Sequence, residues 1–272
     1  MSSDPSVPMP NSVSAVTLPL ALLRCLACGQ VGLAATSERV YCPACGEVYP
    51  LQNGIVRWIR DPQALTPAQS IAQSPLFAWG YERLWRPWAL SLLSGEDFPP
   101  HRESQLLWEF LGSPTTVLDL GTGCGYWSRM VLSHAPQTTV LGLDNSWVVL
   151  QEAQRQQQPY WPHYVLFYAQ AEAIPLGNAT VDAVISGASL NELPLAPTLA
   201  EVSRILKPGG VFVSLHSRTW EGLAQGIQKL LSQTGLQFFS EMDLRQAGSQ
   251  VGLRMQRYLT FAAVAMTQMV KD

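Results

Sequence analysis

From residue 113 onward, short continuous apolar runs alternate with stretches whose apolar residues recur at helical spacing. The runs are TTVLDL at 115–120, TTVLGLD at 138–144, YVLFYA at 164–169, VDAVIS at 181–186, VFVSLH at 211–216, RMQRYLTF at 254–261 and AAVAMTQ at 262–268. Between them lie YWSRMVLSHA, SWVVLQEAQRQQQ and PTLAEVSRILK, each suited to an amphipathic helix. Pro136 and Pro159 stop the first two, and Pro208-Gly209-Gly210 stops the third. Strands that are apolar throughout predict a parallel sheet covered on both faces. The last two runs are too close for a helical crossover, so they predict a hairpin that sets an antiparallel strand into the sheet. The expected fold is α/β, a doubly wound sheet of seven strands.

The first 112 residues follow other patterns. Residues 1–20, rich in Ser, Pro and Val, read as a loose tail. Residues 21–60 hold four of the five cysteines and form a separate small unit. Residues 61–112 open with prolines and become aromatic and helical, as in SPLFAWGYERLWRPWALSLL, which reads as a linker or lid. The sheet then occupies 113–272.

With 47% hydrophobic and 14% charged residues, the chain can build a core of ordinary size. Its net charge is -3, and Lys207, Lys229 and Lys271 are its only lysines. A nucleic-acid binder draws most of its affinity from phosphate neutralisation, so this balance argues against such a partner. No run reaches the roughly 20 apolar residues that span a bilayer. The apolar stretch at 13–23 lacks a basic start, which argues against a signal peptide. A cytoplasmic location follows, and in a reducing compartment the cysteines are metal ligands or buried thiols rather than disulfides.

The stretch VLDLGTGCGYWS, 117–128, runs from a strand through three glycines into a helix. In a doubly wound sheet the ligand sits beyond the carboxyl end of that strand. A dinucleotide fingerprint needs its third glycine at position 126, which is Tyr126, and there is no Gly-Lys-Ser/Thr ending of a phosphate loop. Asp119 suits a cationic group on the ligand. Asp144 ends the next strand, 19 residues after Gly125, where a carboxylate can accept from both hydroxyls of a ribose. An acid for an amine, glycines for close approach and an acid for a ribose describe S-adenosylmethionine (SAM).

With those residues in view, 113–272 resembles a class I SAM-dependent methyltransferase with a seven-stranded Rossmann-like sheet. VLDLGTGCGYWS is similar to the first family motif and LGLDNS to the second; AQAEAIPLGNATVDAVIS and EVSRILKPGGVFVS are similar to two later ones. The subtype resembles ubiquinone/menaquinone C-methyltransferases. By that resemblance, Asp119 and the backbone of Gly121, Gly123 and Gly125 hold the methionine end, Asp144 the ribose, and Asn145 lies beside the adenosine. Gln170 and the Ala171 N–H read adenine, Gln170 standing where many relatives have Asp, and Ser186 joins the cofactor-binding set.

Cys25-x2-Cys28 and Cys42-x2-Cys45, separated by 13 residues, make two knuckles that can close a tetrahedron of thiolates around one metal. Such a closed site is structural and is expected to hold zinc. The stretch EVYPLQNGIVRWI after it resembles the tail of a zinc-ribbon family whose members occur as free methyltransferase activators and fused to methyltransferases. Over the whole chain, with SPLFAWGYERLWR as linker, the sequence resembles ribbon-plus-methyltransferase proteins of cyanobacteria and chloroplasts.

Phe77, Trp79, Tyr81, Trp85 and Trp88 suggest an apolar lid for a hydrophobic acceptor, and are also compatible with peripheral contact at a membrane. SGASLNELP lacks the Asn-Pro-Pro-Tyr motif of amino-group methyltransferases. His216, at the end of a strand, and Asn191 are the catalytic candidates, His216 as a general base. The leading expectation is a methyltransferase for a hydrophobic small molecule such as a quinone or isoprenoid-linked ring. A ribosomal-RNA base methyltransferase with the ribbon as reader, and a non-catalytic SAM-binding or partner-binding module, are the alternatives. The sequence does not fix the oligomeric state.

Overall fold

The structure is a computed structural model that describes residues 17–60, 86–157, 162–220 and 225–272, apart from the side chains of Pro87, Ala89 and Ile227. Four short strands come first: β1 (Ala34–Ala35), β2 (Arg39–Tyr41), β3 (Val48–Gln52) and β4 (Ile55–Arg57). Each pairs antiparallel with the next. Helix α1 (Arg86–Ser94) and helix α2 (Pro100–Leu111) follow. Proline at the first turn of α2 needs no N–H partner, and Gly112, at φ 73°, ends the helix. The alternating part then runs β5 (Thr116–Leu120), α3 (Tyr126–His134), β6 (Thr139–Asp144), α4 (Trp147–Gln156), β7 (Tyr164–Tyr168), β8 (Val181–Gly187), α5 (Leu195–Ile205) and β9 (Leu206–Ser217). Helices α6 (Gln225–Ser232) and α7 (Glu241–Ser249) precede the hairpin β10 (Leu253–Phe261) and β11 (Val264–Lys271).

The strand order is β1-β2-β3-β4-β7-β6-β5-β8-β9-β11-β10. β5 to β9 are mutually parallel, and β11 enters antiparallel to β9, as the close spacing of the last two runs predicts. The order reverses at β5, which opens a crevice beyond its carboxyl end.

The seven strands expected over 113–272 are β5 to β11, and β1 to β4 of the cysteine-bearing unit extend the same sheet to eleven strands among the described residues. The cysteine-bearing unit is not a bead on a linker: Ile55, Val56 and Arg57 of β4 pair in parallel register with Leu166, Phe167 and Tyr168 of β7. Two further contacts pin it, an antiparallel bridge of Leu23 with Leu176 and the Gly177 N–H on the Leu22 carbonyl at 2.8 Å. Residues 17–20, read as tail, also pack here. Leu18 and Leu20 lie against the core, and the Leu33 N–H bonds the Leu20 carbonyl. Residues 1–16 lie outside the described part.

The sheet divides two apolar layers. One gathers Leu107, Phe110, Trp127, Val131 and Leu150 from α2, α3 and α4. The other joins Cys25, Tyr49 and Trp58 to Leu199, Val202 and Leu244 from α5 and α7. Between α1 and α2 and the sheet lies a buried ion pair, Arg86 with Glu103. Glu103 also accepts from the Trp127 indole at 2.6 Å, and Arg86 donates to the Gly187 carbonyl at 3.1 Å. The end of the long linker is thereby fixed at the carboxyl end of β8.

Pro208-Gly209-Gly210 does not simply terminate a helix. Helix α5 ends at Ile205, and the three residues bulge within β9, where the pairing with Val181 and Ala183 of β8 jumps from Leu206 to Val211. Asp182, in the later motif VDAVIS, is explained by the same corner. Its Oδ2 accepts from the Thr115 and Thr116 N–H groups and the Thr115 hydroxyl, and Oδ1 meets Lys207 at 2.6 Å. Burial opposes ionisation there, but Lys207 and the Thr115 and Thr116 bonds win and hold the carboxyl down at about 2. It clamps three strands far from the crevice.

Asp182→Asn should cost about 1–3 kcal/mol in urea unfolding at neutral pH, since a charged acceptor of several bonds is lost. A carboxyl depressed in the folded state gives stability above the unfolded value near 4 and loses it as pH falls toward 2. The difference between wild type and variant should therefore shrink in that window; a constant gap would show that the charge is not what Asp182 contributes.

Candidate cofactor site and cysteine cluster

The loop after β5 turns on glycines in the left-handed region, Gly121 at φ 67°, Gly123 at 54° and Gly125 at 83°. Two are also forced by neighbours. A Cβ on Gly121 would lie under 3.0 Å from the Ser189 side chain, and one on Gly125 under 3.0 Å from the Tyr164 hydroxyl. A Cβ on Gly123 would meet nothing within 4 Å, so this glycine faces open space where a ligand can approach.

Ser189 was not among the sequence candidates. Its hydroxyl donates to the Leu120 carbonyl at 2.8 Å and meets that of Ser186 at 2.8 Å, so Ser186 serves the crevice through Ser189. The preceding Ala188 has φ 78°, an uncommon conformation for a residue with a Cβ. A Gly-Ala-Ser turn beyond an apolar strand is a weak sequence signal, because it becomes meaningful only when the turn lands against Gly121.

Asp119 is buried, and its Oδ2 accepts from the Thr122 hydroxyl at 2.8 Å, the Ser128 hydroxyl at 2.6 Å and the Ser128 N–H at 3.1 Å. Burial raises its pKa, while the Ser128 and Thr122 bonds and the Arg86 charge oppose the rise. Through these bonds to Oδ2 it braces the loop against the first turn of α3. Asp144 stands at the mouth. One oxygen takes the Gly123 N–H at 2.9 Å and the other the Ser146 N–H at 2.8 Å. Burial pushes its carboxyl up to about 6, against those two bonds.

Asn145 and Gln170 meet at 3.5 Å, amide to amide oxygen, at the ends of β6 and β7. Ala171 is buried beside them, and its N–H has no partner among the described residues. Glu192, in a single 3-10 turn after β8, is a further acid that the sequence reading passed over. Burial, and then the Asp144 charge, raise its carboxyl to about 7.

The two catalytic candidates fare differently. Asn191 is a clip: its amide donates to the Ser217 and Gln237 carbonyls at 2.8 and 2.6 Å, and its oxygen takes the Ser217 N–H at 2.8 Å. It holds β9 to the chain before α7 and has little capacity left for a substrate. His216 is buried, with Nδ1 at 3.3 Å from the Ser214 hydroxyl and Nε2 without a partner among the described residues. Burial lowers its pKa to about 4, so it is neutral at pH 7. Phe77, Trp79, Tyr81 and Trp85 lie outside the described residues, while Trp88 on α1 is exposed.

The four cysteines converge. Cys25 and Cys45 sulfurs are 3.7 Å apart, Cys28 and Cys42 3.6 Å, and all four lie within 4.8 Å of one another. Thiolates on one zinc ion at about 2.3 Å sit roughly 3.8 Å apart in a tetrahedron, so the donor set fits that ion.

Residues 117–210 match the methyltransferase domain family. That stretch is similar to a methyltransferase domain. The chain is 28% identical over 203 residues to a chloroplastic methyltransferase of Arabidopsis thaliana, covering 68% of this chain and 56% of the relative. It is 29% identical over 160 residues to the ubiquinone/menaquinone biosynthesis C-methyltransferase of Syntrophotalea carbinolica, covering 58% and 61%. Among solved structures it resembles the geranyl diphosphate C-methyltransferase of Streptomyces coelicolor with a TM-score of 0.57, at 14% identity over 63% of this chain and 76% of that one. The chain spans about half the length of the curated relatives it matches. The methyltransferase fold, resemblance to quinone-pathway and chloroplastic methyltransferases, and cysteine cluster expected from the sequence are thus all present.

Two outcomes follow from the geometry. Gly125→Ala meets Tyr164 at an unfavourable φ, and should cost at least about 1–2 kcal/mol in thermal or urea unfolding; pairing it with Tyr164→Phe should recover part of the loss. No recovery would mean that the Tyr164 hydroxyl is not the obstacle. Asp144 and Glu192 keep their protons to about 6 and about 7, above the unfolded range. Stability from such groups is full below about pH 4 and fades as pH rises through 6 and 7. Glu192→Gln should flatten that fall in a series of melting curves, and an unaltered slope would assign the titration to other groups.

Proposed function

We propose that the chain is a SAM-dependent methyltransferase whose acceptor is a hydrophobic small molecule, such as a quinone or isoprenoid-linked ring, and that the four cysteines hold a structural zinc ion. The observation that supports the reading is that Asp144 takes the N–H of the open Gly123 while its neighbour Asn145 meets Gln170, beside an Ala171 N–H that has no partner among the described residues. Bound SAM supplies an electrophilic methyl group. Asp144 would turn its carboxylate to the ribose hydroxyls, Gln170 and Ala171 would take the adenine edge, and the Gly121–Gly125 backbone would leave room for the methionine end. Positioning of the acceptor against the methyl is then the main contribution of the protein. Glu192, whose carboxyl burial and then the Asp144 charge raise to about 7, is a further candidate beside Asn191 to remove an acceptor proton. His216 remains a candidate through its free Nε2.

An apolar acceptor is supported from three sides. The relatives include a quinone-pathway C-methyltransferase and, in fold, a geranyl diphosphate C-methyltransferase. An open cavity of about 440 Å³ beyond β9 is lined by Leu92, Leu93, Trp220, Ala262 and Ala263 with Arg218 and Thr219. The arginines that could form a basic rim are engaged: Arg57 with aromatic rings, Arg60 with Glu47 and Arg86 with Glu103. Arg83 lies outside the described residues. No helix among the described residues is long and apolar enough to cross a membrane.

Calorimetry with SAM should show binding to the wild type and a loss in Asp144→Ala of about 1.5–3 kcal/mol per charged hydrogen bond removed. Equal affinities would take the ribose away from Asp144. Metal analysis should find one zinc per chain, and serine at any of the four cysteines should release it; metal-free protein with intact β1 to β4 would remove the zinc assignment. Quinol-type lipids should compete for or enhance SAM binding. Tight, salt-sensitive binding of structured RNA with no lipid response would replace the apolar acceptor with a nucleic acid.

A further inference from the structure

β4 brings a side chain as well as backbone to the sheet edge. Arg57, its last residue, sits opposite Tyr168 in the parallel register. Its guanidinium carbon stands 5.1 Å from the centre of the Trp147 ring and 5.7 Å from that of Tyr168. Those rings meet edge to face at 5.5 Å. Trp147 opens α4 just after Asp144, Asn145 and Ser146, and Tyr168 closes β7 just before Ala169 and Gln170. One guanidinium from the cysteine-bearing part therefore ties together the two aromatic residues that flank the convergence of Asp144, Asn145 and Gln170.

The strand carrying Arg57 is itself held firmly. The Trp58 and Ile59 N–H groups both donate to the Tyr168 carbonyl, at 2.9 and 3.2 Å. Trp58 packs on Tyr49 at 4.1 Å and meets Phe167 edge-on at 6.1 Å. The Tyr49 hydroxyl takes the Leu26 N–H at 2.9 Å and contacts the Cys25 sulfur at 3.3 Å. Arg57 also donates to Gln52 at 3.2 Å, which fixes the guanidinium from its solvent side. Its place over the rings is thus set by the first knuckle and by β4 together.

We infer that the ribbon is part of the cofactor pocket, with Arg57 as the positioning residue that fixes Trp147 and Tyr168 as the wall of its adenosine end. This rests on the SAM reading above. A planar cation over two rings is attracted by their negative faces and limits their rotation. An adenosine arriving between Asp144 and Gln170 then meets a wall already in place.

The test is calorimetric titration of the full chain with S-adenosylhomocysteine, using wild type, R57M, R57K, W147L and R57M/W147L. Methionine keeps the apolar stem and removes the cation. R57M should weaken binding roughly threefold to tenfold, with unchanged melting temperature and metal content, and R57K should regain part of the loss. If Arg57 acts through Trp147, the double variant should bind no more weakly than W147L by itself. Wild-type affinity in R57M, losses that multiply in the double variant, or a fall in melting temperature that accompanies the lost affinity would overturn the inference while leaving SAM binding intact. A wild type that binds no S-adenosylhomocysteine would instead overturn the SAM reading and this inference with it.

Discussion

The crevice depends on one carboxylate out of contact with water. Asp119 gathers two hydroxyls and an N–H onto Oδ2 and so fastens the end of β5, the glycine loop and the first turn of α3 into one piece. A buried charge is stable only while its hydrogen bonds are complete. That condition dictates the neighbours: a hydroxyl at Thr122, another at Ser128, and Arg86 near enough to favour the charge. With the loop held in this way, the Gly123 N–H reaches Asp144 and the ends of β5 and β6 are set relative to each other. Arg86 itself is fixed by Glu103, so the first turn of α1 belongs to the same electrostatic arrangement.

Much of this was legible in the sequence, for definite reasons. The parallel strands announced themselves because strands buried on both faces carry unbroken apolar runs, and the hairpin because no crossover fits between 261 and 262. The glycine loop and Asp144 were readable because their chemistry needs particular residue types at fixed spacing. The residues that went unread are those whose meaning is set by partners distant in the chain. Ser189 matters only against Gly121 and Glu192 only beside Asp144. Helix α7 was missed although Ser240 and Asp243 form a capping box, a local signal that could have located it. The joining of the first four strands to the sheet went unread for a similar reason. β4 is only three residues long, too short for any periodicity to show, and it is a strand because β7 is there to pair with it.

The cysteine-bearing part and the alternating part share one core. One apolar layer runs from Cys25 and Tyr49 through Trp58 to Phe167, Leu199 and Leu244 without a break. Two units joined by a flexible connection would keep separate cores and move independently. Here the cysteine knuckles and the glycine loop share a sheet, joined by backbone hydrogen bonds and packed rings.

β7 reads YVLFY, and all five of its residues are buried. Left at the rim of a sheet, such a strand would offer a bare row of amides and carbonyls flanked by apolar side chains, a template for pairing with any passing chain. β4 and the two amides that follow it are the shield. Over a hundred residues separate Ile55 from its partner Leu166, so the shield is synthesised long before the edge it covers. Closing so large a loop is slow relative to local folding. During that interval the sticky edge is open, and the short seam between β4 and β7 decides whether the newly made chain completes itself or joins a neighbour.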